Sequence, residues 1–425
     1  MVLRNEKLTF VKNMKQPIHR WFRFSAGFNA KWASEVMKNI NKDNLNILDP
    51  FVGTGTVVLE SKINNFNSIG IEAHPFLYRL AKTKLMSLEI NTSEFRKYAI
   101  SILRKAKELK PEISDYPDLI KKSFSKSQIE KLDCLRRAWL SVADKSPLSE
   151  LIWLTLASIL RPSANVNTAI SQYIQPKKEK SYDVSSAYHI FKEKVELIIS
   201  DIVEAQKQMC DLLKFVDDSK KINKIVNEDA RDCSSVKNDW VDLVITSPPY
   251  ANNYDYADAT RLELTFFGEI ERWGDLHDAV RKFLIPACSH HVSRQKDETF
   301  KVLSDSILKP IYYEIYEKCK LLEEERENHG GRKTYHTMIA FYFREMAKVW
   351  RTLRRVAKPD SSICFIIGDS APYGIHIPVE EWFGKLALSL GFKSYKFEKI
   401  RDRNIKWKNR KHNVPLHEGF LWVKG

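Results

Sequence analysis

Ser247, Pro248, Pro249 and Tyr250 close a hydrophobic run from Trp240 to Thr246. Two prolines fix φ and remove two N–H donors, so their carbonyls face outward as acceptors and the tyrosine ring is presented beyond them. The Ser247 hydroxyl and the Pro248 carbonyl can then accept the two hydrogens of an exocyclic NH2 group. That contact draws the nitrogen lone pair out of conjugation and makes it a nucleophile. Tyr250 can stack on the ring carrying the amino group, as aromatic side chains do with bases extruded from a duplex. A Pro-Pro turn after a strand is also ordinary loop chemistry, so these four residues need support from the rest of the chain.

Support comes from residues 46–56 and the following run from Val57 to Ile63. A short apolar strand ends at Asp49, Gly53 and Gly55 make a turn, and an amphipathic helix starts at about Thr54. The glycines permit close approaches that a Cβ would block, so a ligand can touch the main chain. The third glycine of the dinucleotide fingerprint is missing and Asp49-Pro50-Phe51 precedes the turn. Nothing here is arranged to cradle pyrophosphate. Residues 68–72 read as a second buried strand ending in Glu72, an acid placed to take the two hydroxyls of a ribose in a doubly wound sheet.

The elements that must position these groups follow from periodicity. Strands are expected at 46–49, 68–72, 224–227, 241–246, 362–368, 395–400 and 419–423, with helices between them, including 335–356 and 379–390. Such alternation predicts a Rossmann-like α/β fold with a mostly parallel seven-stranded sheet, the last two strands forming an antiparallel hairpin. Two insertions interrupt it. The first reads as helices at 93–109, 127–142, 148–160 and 186–215, the last with an apolar stripe of Ile190, Phe191, Val195, Ile198, Ile199 and Ile202 that suits core packing. Within it, Arg161 to Thr168 is a polar loop whose amides and guanidinium could read base edges or simply make a turn. The second carries a charge run at 323–327, expected on a solvated helix face, and a Gly330-Gly331 hinge. The chain thus divides into 1–83, the N-terminal segment and first half of the core; 84–222, a helical insertion and candidate for target recognition; 223–250, core strands with the catalytic turn; 251–331, the second insertion; and 332–425, the C-terminal half of the core.

Taken together, these motifs resemble the S-adenosylmethionine-dependent amino-methyltransferases of nucleic acids. Asp49 to Gly55 resembles their cofactor loop, and Thr246 to Tyr250 their catalytic tetrapeptide in the serine-first form usual in DNA cytosine-N4 enzymes. Adenine-N6 enzymes usually carry Asp or Asn in place of Ser247. Residues 251–256, 261–264 and 17–22 also look like bacterial DNA methylases. The resemblance implies that Asp49, Gly53 and Gly55 surround the methionine part of the cofactor, with Thr56 and Thr246 beside them, and that Glu72 binds its ribose. Asp229 would bond the adenine amino group, with Glu228 an alternative for that role and a helix cap another reading of Asp229. Phe51 packs on the adenosine or anchors the turn. Pro17 to Phe28 would fold over the methionine carboxylate, positioned by His19, Arg20 and Trp21. The expected activity is site-specific methylation of cytosine N4 in double-stranded DNA, by base flipping and direct in-line transfer; adenine N6, an RNA amine and a non-catalytic nucleic-acid-binding protein are the other readings. A restriction or defence partner stays open. C5-cytosine chemistry is excluded, because it needs a nucleophilic cysteine after a proline and none of the 6 cysteines follows one.

Composition agrees with a large enzyme: 425 residues, 43% hydrophobic, and a net charge of +15 that favours a polyanion. Cations are densest near the end, where Arg401, Arg403, Lys406, Trp407, Lys408, Arg410 and Lys411 offer phosphate ligands and a stacking face, or a solvated hairpin loop. The scattered cysteines predict reduced thiols and no metal, and His290-His291 beside Cys288 reads as a solvated loop. No apolar stretch approaches the roughly 18 residues of a membrane span, and the polar start lacks a signal core, so a cytoplasmic protein is expected.

Overall fold

The computed structural model describes residues 10–24, 27–40, 42, 44–166, 180, 183–214, 221–252, 254–295, 298–330, 333–403 and 414–425. A seven-stranded sheet runs in the order β3-β2-β1-β4-β5-β7-β6. Its strands are β1 (Asn46–Asp49), β2 (Asn67–Ile71), β3 (Asn223–Val226), β4 (Val241–Thr246), β5 (Ala357–Gly368), β6 (Ser394–Arg403) and β7 (Leu416–Lys424). The first five are parallel, and β7 runs antiparallel between β5 and β6. Every residue of β4 is buried, as a central parallel strand covered on both faces requires.

The helices, in chain order, are α1 (Ala30–Lys38), α2 (Thr56–Ile63) and α3 (Pro75–Ser87). The helical insertion supplies α4 (Thr92–Glu108), α5 (Asp118–Ser123), α6 (Lys126–Leu140), α7 (Pro147–Ser163) and α8 (Ala187–Leu213). The second insertion has α9 (Arg261–Phe267), α10 (Leu276–Ala279), α11 (Thr299–Leu303) and α12 (Tyr312–Asn328); α13 (Tyr335–Val356) and α14 (Val379–Ser389) complete the core. Successive strand residues face opposite sides. Ile47, Leu243, Ile245, Cys364 and Ile366 therefore pack with α1, whereas Leu48, Val244, Ile363, Phe365 and Ile367 pack with α13 and α14. No described helix is long and apolar enough to cross a membrane.

The insertion helices rest on α2, α3 and the N-terminal segment, through a core that includes Leu59, Phe76, Phe95, Leu132, Trp153 and Phe191. The α8 stripe joins this core as expected. The short α5 was not anticipated, since six residues are too few to show a helical period. Helix α7 runs on through Arg161, so that residue is helical rather than part of a loop. Buried Glu263 explains its placement: the Arg161 guanidinium donates to Glu263 Oε1 at 2.7 Å and to the Ala259 carbonyl at 2.9 Å. Asn165 uses its side-chain oxygen to accept the Ser125 N–H at 2.8 Å, while Asn167 and Thr168 lie outside the described residues. The charge run does sit on the exposed side of α12 at Glu323, Glu324 and Glu327.

At the other end of the chain, β6 extends to Arg403 and β7 begins at Leu416, because β7 offers partners as far as Arg403↔Leu416. Arg401 and Arg403 are consequently strand residues; Lys406, Trp407, Lys408, Arg410 and Lys411 lie outside the described residues. The N-terminal segment makes one tight turn at His19–Trp21 and docks on α8. There the fully buried Asp201 carboxylate accepts from Ile18 N at 2.9 Å, Arg20 Nε at 3.1 Å and Trp21 Nε1 at 2.8 Å. Ile18 is held at φ 63°, a left-handed conformation that costs a β-branched residue about 1–3 kcal/mol and persists only when its surroundings impose it. Replacing Asp201 with Ala should lower unfolding stability by about 3 kcal/mol, because it strands buried donors, a loss that relaxation of Ile18 offsets only in part; urea titration of the two proteins measures the difference.

Candidate functional site

The carboxyl ends of β1, β2, β3 and β4 meet at one edge of the sheet, where ligands of open α/β sheets bind. A cleft of about 840 Å³ opens there. Phe51, Gly53, Thr56, Glu72, Asp229, Ser247 and Pro249 line it, so most of the expected site residues converge. Asp49, Gly55 and Thr246 stand behind this lining. Gly55, at φ 92°, caps α2 in the left-handed conformation that the turn demands, and Gly53 N–H donates to Glu72 Oε2 at 2.7 Å. Glu72 Oε1 accepts the His74 N–H at 2.8 Å. A carboxylate has about four acceptor positions, so Glu72 ties down the turn and keeps two for a ligand.

Asp49 performs a different task. It is 1% exposed, and its Oδ1 accepts the Thr246 hydroxyl at 2.6 Å and the Phe51 N–H at 3.0 Å. The cofactor-type turn after β1 and the Ser-Pro-Pro-Tyr turn after β4 are thus bonded through one carboxylate. Burial pushes the carboxyls of both Asp49 and Glu72 up to about 7. Between the two acids after β3, the cleft selects Asp229; Glu228 is turned toward the Ser234 and Ser235 hydroxyls, at 3.1 and 2.9 Å. Asp229 also pairs with Arg231, which bridges to Glu345.

Three members of the Ser-Pro-Pro-Tyr turn are held. Ser247 Oγ donates to the Ile366 carbonyl at 3.3 Å, the Pro249 carbonyl accepts the Tyr342 hydroxyl at 2.8 Å, and Tyr250 N–H donates to the Tyr256 hydroxyl at 3.0 Å. Among the described residues nothing donates to the Pro248 carbonyl. The Tyr250 hydroxyl donates to Glu418 Oε1 at 2.8 Å, and burial together with that carboxylate raises its pKa well above the usual value. Arg401 and Arg403, expected to meet DNA, meet the protein. Arg401 pairs with Glu418, while the Arg403 guanidinium lies 5.2 Å over the Tyr250 ring and donates to the Asp369 carbonyl at 2.8 Å.

Several neighbours were not visible in the sequence reading. Phe24, Gly27 and Phe28 of the N-terminal segment cover one side, as the resemblance implied, but Phe283, Leu284 and Ile285 of the second insertion form another wall. That apolar triplet ahead of Pro286 was the available signal. His74 also faces the cleft; burial lowers its pKa to about 3, so it is a neutral ring, with Nε2 3.0 Å from the Thr260 hydroxyl and no partner on Nδ1. The His290-His291 region departs from a solvated loop. His290 is exposed, but Cys288 and the His291 side chain are buried around Asp255, one carboxylate oxygen of which lies within 4.8 Å of the Cys288 sulfur and a His290 ring nitrogen. Arg281 already donates to Asp255 at 2.7 and 3.0 Å. Burial alone would raise the Asp255 carboxyl, but His290, His291 and Arg281 hold it well below the carboxylate range. Asp369 likewise serves the scaffold, accepting from His417 N at 2.8 Å and lying 2.9 Å from His376 Nε2.

A profile of the family described as DNA methylase, covering N6 and N4 enzymes, matches residues 5–83 and 241–424, more than half of the chain. The chain belongs to this family. Its break, 84–240, takes in the helical insertion together with β3 and Asp229. The Type II methyltransferase M.BsoBI of Geobacillus stearothermophilus is 24% identical over 440 aligned positions, covering 94% of this chain and 83% of that protein. The Type II methyltransferase M.AvaI of Anabaena variabilis is 24% identical over 406 positions, covering 91% of this chain and 81% of its own length. No solved structure matches. Enzymes of the family use S-adenosylmethionine, and the cleft lining fits it: Phe51, Leu77 and Ile285 would give an adenine ring apolar surroundings, and Glu72 and Asp229 would offer acceptors to hydroxyl and amino groups.

The two raised carboxyls set a pH dependence. Unfolded carboxyls titrate near 4, whereas Asp49 and Glu72 titrate near 7 when folded, so between these values the folded state binds more protons. Their contribution to stability is complete below about pH 4 and is lost as pH rises through about 7. In denaturant unfolding of the ligand-free protein, the stability of wild type relative to Asp49→Asn or Glu72→Gln should accordingly fall across this interval. A constant difference would show that neither group is perturbed.

Proposed function

We propose that this DNA methylase is a Type II modification enzyme that methylates the N4 amino group of cytosine in double-stranded DNA. The observation carrying the proposal is the Ser-Pro-Pro-Tyr turn after β4, where the Ser247 hydroxyl lines the cleft and gives its proton to the Ile366 carbonyl, so that its oxygen is turned into an acceptor beside the adjoining Pro248 carbonyl. Both can accept from one NH2 group, and a neutral amine so held needs no covalent enzyme intermediate. When bound, S-adenosylmethionine supplies an electrophilic methyl group. Ser247 and Pro248 orient the amino group and pull its lone pair out of the ring, while Pro249 shapes the turn and Tyr250 stacks on the extruded base. Glu72 takes the ribose hydroxyls, Asp229 the adenine amino group and Phe51 the adenine face. Gly53 and Gly55 let the main chain approach the methionine part; Thr56 lines it, and Asp49 with Thr246 fixes the spacing between the two turns.

Phosphate contacts are assigned to the hairpin loop through Lys406, Trp407, Lys408, Arg410 and Lys411. Target reading is assigned to the insertion at 84–222, which lies within the stretch 84–240 that the family profile passes over. Relatives named as Type II methyltransferases support a restriction endonuclease as the functional partner and DNA in the cytoplasm as the substrate.

Incubation with labelled cofactor and plasmid DNA, followed by nucleoside mass analysis, should yield N4-methylcytosine; N6-methyladenine would instead assign the adenine chemistry of the same family. In single-turnover reactions Ser247→Ala should slow transfer at least about tenfold with cofactor affinity unchanged, since the hydroxyl acts on the amino group. Tyr250→Ala should weaken base capture by about 1–3 kcal/mol.

A further inference from the structure

We propose that Glu418 and Arg403 are positioning residues that lock the Tyr250 ring for the target base, which makes the β6–β7 hairpin part of the base-capture device. This rests on the reading of Tyr250 as the stacking residue. A tyrosine at the end of a proline turn would ordinarily rotate freely, and ordering such a side chain on binding costs entropy. Here the ordering is done in advance. Tyr256 holds the backbone N–H, Glu418 holds the phenol hydroxyl at the ring's edge, and Arg403 covers one face. A base can then stack only on the other face.

The geometry of the hairpin supplies each group for this purpose. Glu418 is paired across the sheet with both Arg401 and Gly368, so it stands at the border between β6 and β5 with one oxygen for each neighbour: Oε1 for Tyr250 and Oε2 for Arg401. Arg401 neutralises the carboxylate without taking the oxygen that the phenol needs. Arg403 reaches the ring by crossing Gly368, where a Cβ would lie 2.5 Å from its Nη1. A cation over an aromatic face is itself favourable, and the bond to the Asp369 carbonyl keeps the guanidinium from swinging into solvent.

The test is a double-mutant cycle in the full-length protein, with labelled cofactor and plasmid DNA under single-turnover conditions and cofactor affinity measured by calorimetry. Tyr250→Phe and Glu418→Ala should each slow transfer about tenfold, the loss of one hydrogen bond to a charged group, without changing cofactor affinity. Combined, they should be no slower than Tyr250→Phe alone, because both remove the same contact. Glu418→Gln, which keeps an acceptor, should restore most of the rate. Arg403→Met should slow transfer in the wild-type background and have no further effect beside Tyr250→Ala. If Glu418→Ala slows the Tyr250→Phe enzyme as much as it slows wild type, the glutamate acts elsewhere and the lock is refuted. If Tyr250→Ala itself transfers at the wild-type rate, the stacking assignment fails first; if that variant is slow while the Glu418 and Arg403 variants are normal, only the lock fails.

Discussion

The hydrogen bond from the Thr246 hydroxyl to Asp49 decides how this site works, because it joins the ends of adjacent central strands. One strand leads into the turn proposed to receive the cofactor and the other into the turn proposed to receive the base. Transfer between two bound molecules depends on their separation to within a fraction of an ångström, and this carboxylate ties the two turns together directly. A buried carboxylate with two donors is stiff, since losing either would leave a polar group unpaired in a place water does not reach.

Around that link, the sheet and its coverings supply different groups. The parallel strands set the positions of Asp49, Glu72, Asp229 and Ser247, whereas the walls of the cleft come from additions to the sheet: the N-terminal segment with Phe24 and Phe28, and the second insertion with Phe283, Leu284 and Ile285. Polar acceptors thus sit on the scaffold and apolar surfaces on the coverings. Ligand orientation is fixed by the former, and exclusion of water by the latter.

What could be read from the sequence follows the range of the forces involved. Seven strands and the long helix at 335–356 were legible because pleat and helical period are local. Gly53, Gly55 and Glu72 were legible because a turn, a helix start and a strand end are neighbours in the chain. The partners of Tyr250 were not: Glu418 lies 168 positions away and its role depends on sheet order, which no local pattern encodes. Arg161 misled for the same reason, since a polar run looks like a loop until the buried Glu263 that draws its guanidinium inward is in place. His74 went unnoticed because a single histidine after a strand carries no spacing of its own.

Asp201 has an implication for how such proteins diversify. It belongs to the insertion, yet its carboxylate fastens the segment that roofs the cofactor cleft. The segment at 84–222 is therefore not a freely exchangeable cassette. A chimaera receiving another protein's insertion would inherit Arg20 and Trp21 with no acceptor, and its roof would come loose even if the new helices packed well. An exchange that keeps the roof in place has to carry this clasp and its catch together, the N-terminal segment with the insertion that holds it.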